Sequence, residues 1–140
     1  MGEHVAAIDL GVKWEPNAPS ALLTTTDGGE ARLRLRAHPD DHDQHPVELV
    51  WDRCLAARME PPNDEAVSGH RLYDVGLREV LWLGEVYESG LIAELERTNR
   101  VHARHSAERY IPLRHWVVPL KECTVEVVAR SPRVERGIGA

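Results

Sequence analysis

The chain has 140 residues, a mass of 15.8 kDa and a formal charge of −6 at pH 7. Hydrophobic residues make up 42% and charged residues 29%, which excludes a collagen-like, coiled-coil or wholly disordered chain. No apolar run approaches the ~20 residues of a membrane-spanning helix, so no membrane role is expected.

From the start, Met1 to Ala6 carries neither a basic segment nor an apolar one, and no leader peptide is expected. Val5 to Val12 predicts a first strand, ended by Gly11 and the Pro16/Pro19 loop. Ala21 to Thr26, Asp27-Gly28-Gly29 and Glu30 to Ala37 predict a hairpin, because glycine supplies positive φ without a Cβ clash. On its second arm Ala31, Leu33, Leu35 and Ala37 share one face, and Arg32, Arg34 and Arg36 share the other.

A polar loop, His38 to Pro46, leads to a third strand with Val47, Leu49, Trp51, Leu55, Ala57 and Met59 on one parity. Arg53 interrupts that parity and predicts a bulge or strand end. Residues 71–88 fit either a helix stripe or a strand buried on both faces, and Gly76 and Gly84 favour one or two strands. Ser89 is a natural N-cap for a helix from about Gly90 to His102, with Glu96 and Arg100 paired at i+4. A final hairpin turns at Lys121-Glu122 and places His115, Val117 and Pro119 opposite Thr124, Glu126 and Val128. The fold class expected is α+β: a mostly antiparallel sheet of five or six strands with one main helix on one face, in a single domain over residues 1–130. Residues 131–140 read as a flexible C-terminal tail.

The charge is uneven. Residues 1–70 hold 13 acids and 6 bases, whereas residues 71–140 hold 10 acids and 11 bases. With a pI near 5.7, the chain lacks the basic stripe of a nucleic-acid binder, and no nucleic-acid partner is expected. The acidic half suits a basic protein partner, or simple solubility. Arginine outnumbers lysine and phenylalanine is absent, which fits a GC-rich bacterial genome. Two distant cysteines, Cys54 and Cys123, form no disulfide framework and read as reduced thiols of a cytoplasmic protein.

Several clusters offer chemistry, each beside a plainer reading. His38, Asp41, His42 and His45 are metal-ligand types within one loop, yet the spacing is unfamiliar and a solvated turn accounts for it. His102 and His105 lack the glutamate of a metalloprotease motif, and a helix C-terminus favours imidazolium. Arg32, Arg34 and Arg36 could grip an anion or acidic partner; pairing with Glu48, Asp52 or Glu60 on the next strand is the alternative. His115 and Glu126 form a polar pair of the kind used in acid–base chemistry, but Cys123 points to the other face and supplies no nucleophile. Trp51 and Trp116 fall on core parities. No phosphate loop, nucleophile elbow or Cys-x-x-Cys is present, so neither a cofactor nor a catalytic set is expected.

Val86 to Leu95, followed by Arg114 to Glu126, resembles a loose group of small uncharacterised bacterial proteins. The shared features are a short strand, a Ser-capped helix start and a C-terminal Arg-His hairpin that returns through a glutamate. Where that group has His-Asp-Ser, this chain has Lys121-Glu122-Cys123. The resemblance implies no activity.

These readings lead to a non-enzymatic protein-interaction module, an adaptor or an immunity-like neutraliser of a basic partner. The alternatives are divalent-metal binding by the His38–His45 loop and anion or small-molecule binding at the Arg32/Arg34/Arg36 face. Long antiparallel edges leave a homodimer open.

Overall fold

The computed structural model describes residues 2–27 and 29–138. Among them are nine strands: β1 (His4–Ala7), β2 (Leu22–Thr25), β3 (Ala31–Leu35), β4 (Val47–Trp51), β5 (Ala56–Glu60), β6 (Gly84–Tyr87), β7 (Arg114–Pro119), β8 (Thr124–Ala129) and β9 (Arg133–Arg136). One long helix, α1 (Gly90–Asn99), and four short 3-10 turns complete the set. The class is the expected α+β, with antiparallel pairing throughout and one main helix. The strands divide between two sheets, ordered β1-β6-β7-β8-β5 and β2-β3-β4-β9.

Arg53 explains the division. Val47 to Met59 keep one parity across the interruption, but Arg53 takes left-handed backbone (φ 53°) and turns the chain from one sheet into the other. The expected third strand is therefore β4 in the four-stranded sheet and β5 in the five-stranded one. The main core lies between the sheets. Leu33, Leu35, Leu49 and Trp51 meet Trp116, Val118, Val125 and Val127 there, all essentially buried. A second core covers the opposite face of the five-stranded sheet, where Leu72, Leu77 and Val80 pack on Val5, Val86 and Val117. That double covering is why β8 is buried along its whole length.

The final hairpin has the expected register: Pro119 faces Thr124, Val117 faces Glu126 and His115 faces Val128. β7 is an inner strand, so Pro119 protects no sheet edge. It is tolerated because β6 pairs only as far as Val117, which leaves no donor required at Pro119. Two expectations change. Residues 71–83 form 3-10 turns at Tyr73–Val75 and Leu77–Glu79 instead of a strand, and only Gly84–Tyr87 pairs. The left-handed Gly76 between those turns (φ 128°) lets the backbone approach that of Val5. The segment expected as a tail supplies β9, which pairs with β4 through Val134 opposite Leu49. In the first hairpin Leu23 faces Leu33 as expected, while Gly28 of its turn lies outside the described residues. No helix is long and apolar enough to cross a membrane among the described residues.

Candidate functional site

The most elaborate polar arrangement lies under α1. Ser89 is its N-cap, with an extended backbone, and its Oγ accepts the Ile92 N–H at 3.1 Å. The same Oγ sits 2.7 Å from His115 Nδ1, and His115 Nε2 sits 2.7 Å from Glu126 Oε1. The partners assign the hydrogens: Ser89 donates to Nδ1, and Nε2 donates to the carboxylate. Arg71 grips the same carboxylate in bidentate fashion at 2.6 and 3.1 Å, and His70 Nε2 lies 3.3 Å from Oε2. His115 is fully buried and Glu126 nearly so.

Burial by itself raises the pKa of the Glu126 carboxyl. The hydrogen bonds from His115 and Arg71, with the charge of Arg71, outweigh it and hold the group well below the usual carboxylate range. A buried acid with this many donors remains an anion at neutral pH.

The order serine, imidazole, carboxylate is that of a nucleophilic triad. Two features oppose that use. Two amide N–H groups of the first helical turn are engaged, Ile92 by Ser89 itself and Gly90, next to Ser89, by the Glu3 carboxylate at 2.6 Å. A developing oxyanion would meet the negative charge of Glu3 where donors are needed. His115, moreover, has no exposed surface for substrate or water to reach. The geometry instead suits a clasp that ties the β6–α1 corner, the central hairpin and the 70–72 segment together. Glu88, in left-handed backbone (φ 52°), turns the chain into it.

The other sequence-derived candidates fare differently. In the His38–His45 loop, Asp41 pairs with Arg136 at 2.5 Å. Asp43 accepts the His45 N–H at 3.0 Å, and His38 Nδ1 accepts the Asp40 N–H at 3.1 Å. His42 points into solvent. Asp41 and Asp43 titrate below the ordinary range, Asp41 chiefly through Arg136 and Asp43 through the His45 amide. These side chains are thus spent on turn bonds and an ion pair, and no group of three or more His, Cys, Asp or Glu side chains suited to a metal ion occurs among the described residues.

Arg32 and Arg34 both reach Glu48, at 2.5 and 3.4 Å, and Arg32 also reaches Glu135 at 3.0 Å. Asp52 pairs with Arg133 instead, and Glu60 lies in the other sheet. Of the ladder only Arg36 has no carboxylate within 4 Å among the described residues, so two of its three guanidiniums are already engaged. His105 joins Glu96 at 2.8 Å, while His102 accepts the Arg104 N–H.

The fold brings the predicted pair His115 and Glu126 into contact, as it does Glu96 with Arg100 and Arg32 and Arg34 with Glu48. The further Glu126 partners His70 and Arg71 were not legible in the sequence, since they lie 55 or more residues from it, and neither was Glu3, which meets Gly90 from the other end of the chain. Comparison with protein-family models, curated proteins and solved structures gives no match.

Beside the clasp, on the solvent side of Ser89, runs an open groove of about 470 Å³. Ile92 and Ala93 of α1 form one wall, and Ala107, Tyr110 and Ile111 form the other. Glu88 adds a carboxylate at its margin, and Glu96, also there, is held by Arg100 and His105. Ile111 is 79% exposed, unusual for a side chain of its size and apolarity.

Proposed function

We propose that the chain is a non-enzymatic protein-interaction module that docks a basic partner in the groove between α1 and the 107–111 turn. The observation that carries this reading is the exposed Ile111 beside an apolar groove with the Glu88 carboxylate at its margin. Such a surface suits a partner segment with an apolar side chain next to a lysine or arginine, the first excluding water and the second meeting Glu88. The buried clasp supports the reading by fixing the α1 end of the groove before any partner arrives. An adaptor and an immunity-like neutraliser both fit this chemistry. The half-buried free thiols Cys54 and Cys123 suit a reducing compartment, and we place the module in a bacterial cytoplasm.

The test is parallel co-purification from the native cell with the wild-type chain and with Ile111→Asp. The expected result is a stoichiometric basic partner held by the wild type and lost by the variant. Recovery of the same proteins by both chains, or of no stoichiometric partner by either, overturns the reading.

A further inference from the structure

Most arginines of this chain are neutralised internally. Nine of the fifteen have a carboxylate within 4 Å, among them Arg32, Arg71, Arg100 and Arg136. Of the six with none among the described residues, three converge. Arg53, Arg109 and Arg130 come from the β4–β5 connection, the 107–110 turn and the end of β8, and they line one groove of about 670 Å³. That volume is in the range of small-molecule sites. No aspartate or glutamate among the described residues lines it.

Apart from the Asn99 amide and the Cys54 thiol, the rest of the groove is largely apolar. Leu55, 46% exposed, and Leu113 contribute aliphatic surface, and Tyr110 contributes a ring. Arg53 holds left-handed backbone there, which costs a non-glycine residue roughly 1 kcal/mol. A concentration of positive charge in a chain of net charge −6 is a local reversal of the field, with an apolar surface beside it.

We propose that this groove binds a small organic oxyanion, a phosphate monoester or carboxylate carrying an apolar or aromatic body. The guanidiniums take the anionic head through charge-assisted, in part bidentate, hydrogen bonds. Leu55, Leu113 and Tyr110 take the body. The site is separate from the acidic groove proposed for the protein partner, although Tyr110 lines both.

Cys54 lines the groove and gives a direct readout, with Cys123 as an internal control. Phenyl phosphate is the probe and iodoacetamide, which is uncharged, the alkylating reagent. The expected result is saturable protection of Cys54 by phenyl phosphate with no change at Cys123. Arg53→Ala, Arg109→Ala and Arg130→Ala each raise the half-protecting concentration about tenfold, the worth of one charged hydrogen bond. Arg36→Ala and Arg104→Ala, which remove unpaired arginines elsewhere, leave it unchanged. Calorimetric titration with the same probe reads binding independently of thiol reactivity, and a benzoate titration separates a carboxylate preference from a phosphate one. Absence of saturable heat with both probes overturns the proposal, as does equal binding by the triple arginine variant. Binding of a glutamate-rich peptide in the groove without binding of either probe assigns the surface to an acidic protein segment and overturns the small-ligand assignment. None of these outcomes depends on Ile111, so failure here leaves the docking groove to its own test.

Discussion

His115 on β7 and Glu126 on β8 share a 2.7 Å hydrogen bond although neither faces the other across the ladder. Glu126 opposes Val117, and His115 opposes Val128. The two are diagonal neighbours on one face of the sheet, a separation that long side chains span. Their contact completes the path from the α1 N-cap to Arg71.

The Glu126 clasp predicts acid sensitivity. The folded-state pKa lies below the value of about 4.3 expected for an unfolded glutamate, so in that window the unfolded chain binds the extra proton. The stabilisation is complete above about pH 5 and is lost progressively as pH falls toward the folded-state value. Glu126→Gln is expected to cost about 3 kcal/mol at pH 7, since it removes the buried negative charge and replaces one of the two acceptor oxygens with an NH2 donor facing His115 or Arg71. In urea melts at pH 7 and pH 3.5, the wild type should lose more stability on acidification than the variant. Equal losses would show that Glu126 is not the acid-labile group.

Ser89 separates a clasp from a nucleophile. Ser89→Ala removes both the cap and the His115 contact and should lower stability by ~1–2 kcal/mol, read by thermal melting. The intact chain should gain no adduct at Ser89 from a fluorophosphonate probe, because the Gly90 and Ile92 amides are engaged by Glu3 and by Ser89 itself and His115 is sealed from solvent. A stoichiometric adduct detected by mass spectrometry would make Ser89 a reactive nucleophile and refute the clasp.

Gly76 and Ser68 offer a paired test of backbone packing. A Cβ at Gly76 would strike the Val5 carbonyl at a φ of 128°, so Gly76→Ala should cost at least ~2 kcal/mol. Ser68→Ala, at an exposed position, should stay within ~0.5 kcal/mol. Comparable denaturation midpoints for the two variants would mean that the close approach of Gly76 to β1 contributes little.

Glu48 should matter more than Asp52. Glu48 is nearly buried and serves Arg32 and Arg34 together, whereas the exposed Asp52 serves Arg133. Glu48→Ala is expected to lower stability by about 1–3 kcal/mol and Asp52→Ala by under ~1 kcal/mol. The reverse order would place the ion-pair energy at the sheet's rim.

The His38–His45 loop predicts a negative result. His42→Ala with His45→Ala should change stability by under ~0.5 kcal/mol, since both rings face solvent. Zinc added to the wild type should leave its melting temperature unmoved. A zinc-dependent rise that the double variant lacks would restore a metal site to this loop.

Local pattern in the sequence by itself determined a good part of this protein. Alternation in Ala31–Leu35 set which face meets the core, the two-residue turn at Lys121-Glu122 set the register of the final hairpin, and Ser89 marked the start of α1. Each of these is decided by neighbours a few residues apart, through side-chain period, turn geometry or capping. The crossing at Arg53, the strand at Arg133–Arg136 and the 3-10 turns of residues 73–79 escaped the same reading, because they depend on which distant surface the segment covers. Tertiary structure decided what surrounds the His115–Glu126 pair and the whole of the arginine groove. Glu126 meets Arg71 across 55 positions, and Arg53, Arg109 and Arg130 meet at one groove from three separate segments. Periodicity fixes the face on which a side chain stands. Only the folding of the two sheets onto one another, driven by burial of Trp51, Trp116 and their neighbours, fixes what that face is set against, and so turned the opening charge of −6 into an acidic apolar groove on one side of Tyr110 and a basic one on the other.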